Sequence, residues 1–174
     1  MKAFIGINML GTTVDADVKA VRAEPLRLHT GSLVTPSSPA HLTLIPPVEI
    51  REDQLGATRF AIKRVAYERL RGVVTLRCKG LGTLQHSGLT YLVVKFEDNK
   101  VLDDLRDNLA QAMTLLGFNY PLLSESWVPH VTIGHTDSTE PVSVNVESSR
   151  LNAEVTLRPD MVFLPYKDKS EWHW

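Results

Sequence analysis

A chain of 174 residues with 43% hydrophobic content can bury a core of its own, and it suits one domain spanning 1–174 better than two. Nineteen basic and 20 acidic side chains leave a net charge of −1, which excludes a surface built to neutralise long nucleic acid duplexes. Cys78 is the single cysteine, so an intrachain disulfide and a cysteine-based zinc cluster are excluded and a reducing cytoplasm is the expected setting.

In chain order, Ala3, Ile5, Ile7 and Met9 alternate with Phe4, Gly6 and Asn8, the pattern of a strand with one face in the core. This start reads as a strand rather than a signal peptide, and no run approaches a membrane span. Gly11-Thr12-Thr13 turns the chain, and Val14, Val18 and Val21 predict a short helix that Pro25 stops. Residues 26–40 read as a loop, and Pro46-Pro47 is expected to end the strand that follows it. Leu55, Ile62, Val65, Ala66 and Leu70 predict an amphipathic helix over 52–71 with Gly72 as its stop. Its charged side reads as a solvated face rather than a nucleic-acid stripe.

Val73–Arg77 and Leu81–Gln85 read as strand material, and Leu89–Phe96 completes a hairpin across His86-Ser87-Gly88. Residues 99–116 carry the clearest helical stripe, with Asp98 or Asn99 as cap and Gly117 as stop. Strands follow at the segment beginning with His130 and at 142–146, 155–157 and 161–164. Strands outnumber helices and short turns join many neighbours, so the expected class is α+β with antiparallel sheets.

Two tetrapeptides stand out: His41-Leu42-Thr43-Leu44 and, about 90 residues later, His130-Val131-Thr132-Ile133. Both have the form His-x-Thr-hydrophobic, and with this chain's own residue content two copies arise by chance in roughly one sequence in a few hundred. Alternation along a strand puts His and Thr on one face and the apolar pair on the other. Two such strands brought together across a cleft would gather two imidazoles and two hydroxyls around one pocket, with apolar anchors behind them. Imidazole titrates near pH 6.5, so one ring can take a proton while the other gives one, and the threonine hydroxyls can bond the oxygens of a phosphate. The repeat itself suggests two lobes related by approximate two-fold symmetry.

The paired motifs, their separation and Pro129 before the second histidine resemble the two-histidine (2H) phosphoesterase superfamily, which includes RNA 2',3'-cyclic phosphodiesterases and proteins named 2'-5' RNA ligases. The resemblance implies a bilobal α+β fold with two antiparallel sheets flanked by helices and a cleft between the lobes. It implies metal-independent hydrolysis of a 2',3'-cyclic phosphate or 2'-5' linkage on an RNA end or nucleotide, without cofactor, and with 2'-5' ligation as the reverse reaction. His41 and His130 would be the catalytic pair and Thr43 and Thr132 the phosphate-binding pair. By resemblance His41 is the acid toward the leaving 3'-oxygen and His130 the base, an order the residues alone leave open. The chain departs from the pattern at His135, where many members carry an arginine, and at Ile45-Pro46-Pro47, so a divergent branch is expected.

His135, Tyr166 and Trp127 are further candidates for substrate contact, His135 by binding phosphate when protonated and the two aromatics by stacking a base. Plain core packing is the competing expectation for Trp127. His29 and His86 read as solvated loop residues, and His173 lies by the chain end, where disorder concentrates. A metal site on His41, His130 and His135 is disfavoured, because His-x-Thr chelates poorly and no His-Glu-x-x-His occurs. A nucleotide- or RNA-end-binding module with weak catalysis is the alternative to an enzyme. No membrane and no obligatory protein partner are expected.

Overall fold

The computed structural model describes residues 1–23, 33–118, 127–137, 153–168 and 171–174. Among them are three helices, α1 (Thr13–Ala23), α2 (Leu55–Arg69) and α3 (Lys100–Leu115). The strands are β1 (Lys2–Asn8), β2 (His41–Glu49), β3 (Val74–His86), β4 (Leu89–Phe96), β5 (His130–Thr136), β6 (Glu154–Leu157), β7 (Val162–Phe163), β8 (Tyr166–Asp168) and β9 (Glu171–His173). They pair antiparallel throughout in the order β6-β3-β4-β5-β2-β1-β8-β9, with β7 also on β1, which makes the class α+β. The strand expected over 142–146 and the loop residue His29 fall outside the described residues. No described helix is long and apolar enough to cross a membrane.

Local chemistry sets the helix ends. Thr12 Oγ1 accepts from the Asp15 N–H at 3.2 Å while Asp15 Oδ2 accepts from the Gly11 N–H at 3.1 Å, a reciprocal cap on α1. Asn99 Oδ1 accepts from the N–H groups of Val101 and Leu102 and starts α3. Gly117, at φ 83°, ends α3 with a Phe118 N–H bond to the Met113 carbonyl. The β3–β4 hairpin turns at Ser87 and Gly88, both at positive φ, as a two-residue loop between His86 and Leu89 requires.

Two strands run further than the sequence predicts. The segments 73–77 and 81–85 are one strand, β3, carried across an irregularity between Cys78 and Gly80. Pro46-Pro47 does not end β2, which continues to Glu49. Register shifts against β1 absorb the prolines: Ile5 faces Ile45 and Ala3 faces Val48, so the residues lacking an N–H fall on a bulge and stay exposed. The core gathers one face of the central strands, with Ile5, Ile7, Leu42, Leu44, Val94, Val131 and Ile133 all at or below 1% exposure.

Candidate active site

The two motif strands lie next to each other in the middle of the sheet, and Leu42 pairs directly with Val131. In an antiparallel ladder directly opposed residues share a face, so both of these point into the core and their neighbours point the other way. One step along each strand, His41 falls beside Thr132 and Thr43 beside His130. The four polar side chains form a quadrilateral with histidines on one diagonal and threonines on the other, and diagonal positions are about 7–8 Å apart. All four are half-buried. The structure thus brings together His41, Thr43, His130 and Thr132, from motifs distant in the chain.

Each motif is held in the same way. His41 Nδ1 bonds the Pro39 carbonyl and His130 Nδ1 bonds the Val128 carbonyl, both at 2.8 Å. A carbonyl only accepts, so Nδ1 carries the hydrogen and Nε2 is left to exchange protons. The residue before each histidine has its carbonyl bonded by the adjoining strand: Met9 N–H to Ala40, Phe96 N–H to Pro129. Across the ladders His41 faces Asn8 and His130 faces Lys95. There the equivalence breaks, because an asparagine is the ladder partner of one histidine and a lysine that of the other.

Burial is the main reason both histidines titrate below the usual imidazole range, and the bonded carbonyls offset it in part. The positive charge of Arg22 and the neighbouring His130 lower His41 further, and Lys95 lowers His130 further. Lys95 was not legible as a site residue because it sits inside a strand far from both motifs. It lies over Gly82, where an added Cβ would come within 2.6 Å of Lys95 Cε, so the glycine makes room for the lysine stem.

Arg22 is the second residue that pattern alone does not reveal. From α1 its Nη1 donates to the Ser38 carbonyl at 3.0 Å, Nη2 to the Thr132 carbonyl at 2.9 Å and Nε to the Ile133 carbonyl at 3.2 Å. One guanidinium thereby ties the approach to the first motif to the backbone of the second.

A sequence profile of the 2'-5' RNA ligase superfamily matches residues 13–169. The chain belongs to this superfamily. Solved structures similar to this superfamily member include E. coli LigT complexed with 3'-AMP, at 18% identity and TM-score 0.67 over 99% of this chain and 92% of that one. A phosphoesterase follows at 17% identity and TM-score 0.65 over the same shares, and the MHV ns2 PDE domain at 13% and 0.51 over 90% of this chain and 97% of that one. At these identities the fold is what is shared. Comparison with curated proteins gives no match. Membership of the 2'-5' RNA ligase superfamily supports an enzyme of the 2H phosphoesterase type.

The remaining sequence candidates of this 2'-5' RNA ligase superfamily member are placed differently from one another. On β5 the register slips between Leu92–Gly134 and Val93–Thr132, which inserts one residue and changes the alternation. His135 consequently joins the face of His130 and Thr132, with its ring 5.7 Å from that of Tyr91. Tyr166 pairs with Ala3 on the core-facing side of β1, stacks on His173 at 4.7 Å and lies under the Arg59 guanidinium of α2. It therefore faces away from the motif residues. Trp127 is half-buried against the core, with the Arg106 guanidinium 4.6 Å above its ring. His173 lies in β9 with its ring stacked on Tyr166.

The C-terminal hairpin β8–β9 went unseen because its strands are three residues each. It brings Trp172 to 5.4 Å from Phe4 and Trp174 to 5.4 Å from His41, while Phe4 lies 5.0 Å from His41.

Proposed function

We propose that this chain hydrolyses a 2',3'-cyclic phosphate, or a 2'-5' phosphodiester, of an RNA end or nucleotide through paired histidine acid–base catalysis that needs no metal ion. The observation that carries the reading is the Leu42–Val131 pairing, which sets both motif histidines and both threonines on one face with each Nε2 left for proton exchange. A phosphate between the diagonals meets an imidazole on either side. The neutral ring takes a proton from the attacking water as its oxygen bonds phosphorus. The protonated ring gives its proton to the departing ribose oxygen. Thr43 and Thr132 donate hydroxyl hydrogen bonds to the nonbridging oxygens and stabilise the charge gathering there.

Burial favours neutral rings in the empty site, and the phosphate's negative charge draws the required proton onto one of them when substrate binds. The family resemblance makes His41 the acid and His130 the base; the position of phosphate in the product, 2' or 3', reports that order. With an RNA 5'-hydroxyl in place of water the same groups would run ligation, though water is far more abundant. The test is turnover of adenosine 2',3'-cyclic phosphate and a 2'-5' dinucleotide in excess chelator. His41→Ala and His130→Ala should each lower kcat about 10²- to 10⁴-fold. Full activity in both variants overturns the reading, and tight binding with no product after prolonged incubation favours a binding module instead.

A further inference from the structure

Away from the motif residues, the helix layer presents a surface of two signs. α2 and α3 pack side by side, with the Arg69 guanidinium donating to Asn108 Oδ1 at 2.7 Å, and both bury their apolar stripes in the core that also holds Leu42 and Val131. Their outer faces carry opposite charge. On α2, Phe60, Lys63, Arg64 and Tyr67 follow at i, i+3, i+4 and i+7, which is one face of a helix, and all four are exposed. On α3 the exposed charges are Asp103, Asp104 and Asp107, with Lys100 at the first position.

Neither set of charges is neutralised within the molecule. Among the described residues, none of Lys63, Arg64, Asp103, Asp104 and Asp107 belongs to an ion pair. Asp103 and Asp107 stand one turn apart, where like charges repel. Burial first, then Asp107 and Asp98, hold the Asp103 carboxyl above its ordinary range, with Arg106 opposing them. The apolar part of this surface is equally uncovered, since Phe60 is 71% exposed, Tyr67 61% and Leu115, at the end of α3, 85%. Aromatic rings set among cations are what contact surfaces between proteins are enriched in.

A uniformly anionic partner, such as a lipid surface or a nucleic acid, would be drawn to α2 and repelled by the aspartates of α3; a cationic one meets the reverse. The surface calls for a partner of both signs, set side by side at about 10 Å, the spacing of packed helices. A second copy turned over about an axis parallel to the two helices has that arrangement. We infer that the helix layer is an interface between two copies of this chain, with the Lys63–Arg64 face of each α2 lying on the aspartate face of the partner's α3. The helices are 15 and 16 residues long, roughly 22–24 Å, so the contact covers on the order of 1,000 Å² in total, the lower limit for a specific interface. The dimer is therefore of micromolar strength and weakened by salt. Leu42 and Val131 point into the same core as the helices while His41 and His130 point the other way, so pairing leaves the motif residues of each copy on the far side of the sheet from the contact.

Sedimentation equilibrium of the full chain from about 1 to 100 µM tests this. The average mass should climb from 19.4 kDa toward twice that value, and raising salt from about 0.05 to 0.5 M should lower the association constant at least tenfold. Lys63→Glu with Arg64→Glu makes both outer faces acidic, and Asp104→Lys with Asp107→Lys makes both basic. Each double variant should stay monomeric, while an equimolar mixture of the two should dimerise. Phe60→Ala should weaken the wild-type pair about tenfold. A wild-type chain still monomeric at about 100 µM overturns the inference, whether or not it binds anionic lipid vesicles or single-stranded RNA. So does a double variant that associates as the wild type does, or a mixture that stays monomeric although circular dichroism shows both variants folded.

Discussion

Lys95 and Asn8 occupy matching positions beside His130 and His41, and the charge they do not share gives each ring a separate handle on pH. In the free enzyme kcat/KM rises with pH as the base loses its proton and falls as the acid loses its own. Burial and neighbouring positive charge hold both rings below about 6.5, so both limbs and the maximum between them belong on the acid side of that value. Lys95→Gln removes a charge that opposes protonation of His130, and the limb set by His130 should move up toward 6.5 while the other holds its place. A shift of the rising limb marks His130 as the base, and a shift of the falling limb marks it as the acid. A pH–rate profile with neither limb displaced would show that Lys95 does not act on His130.

The edge of β5 facing β2 is assembled from three unlike pieces. Leu42 pairs with Val131, the Arg22 guanidinium takes the Thr132 and Ile133 carbonyls, and Val34 exchanges backbone hydrogen bonds with His135. Close approach there is tight, since a Cβ on Gly134 would meet the Leu33 side chain at 2.7 Å and the Val34 carbonyl at 2.9 Å. Arg22 thus stands where regular ladder bonds would be, and through Ser38 it also anchors the loop that leads to His41.

Arg22→Met removes a fork that spans three carbonyls. Stability should fall by about 2–3 kcal/mol, since bonds from a charged donor are worth more than neutral ones and part of this group remains wet. The motif strands should loosen with it, lowering kcat about tenfold to a hundredfold. Lysine brings a point charge that cannot reach all three acceptors, so Arg22→Lys should recover only part of the loss. Urea denaturation alongside steady-state kinetics measures both. Unchanged kcat at reduced stability would confine Arg22 to a structural role.

A near-neutral molecule whose described residues put Lys95 and His135 on the His130 flank is expected to engage few phosphates. If the site takes an RNA end, log(kcat/KM) should fall with log[salt] at a slope between zero and about −2, because each neutralised phosphate contributes about −0.7 on a single strand. Lengthening the substrate beyond a few nucleotides should then add little. Kinetics at 50 and 200 mM salt with a cyclic mononucleotide and a ten-residue RNA bearing the same terminus would check this. A slope several times steeper, appearing only with the longer RNA, would point to a basic track elsewhere on the molecule.

The central strands, the three helices and the four motif residues were legible in the chain, because alternation, the 3.6-residue period and glycine or asparagine at helix ends are local properties. Two copies of His-x-Thr-hydrophobic likewise announce their faces without reference to distant residues. What tertiary structure alone decided are relations between segments far apart in sequence. The Leu42–Val131 register sets which His lies beside which Thr, and the bulge on β5 turns His135 to the shared face. Arg22 crosses from α1 to β5, Lys95 arrives from β4, and a short terminal hairpin carries Trp172 to Phe4 and Trp174 to His41. Such relations depend on pairing and packing across the fold, and the periodicity of a single segment carries no information about them.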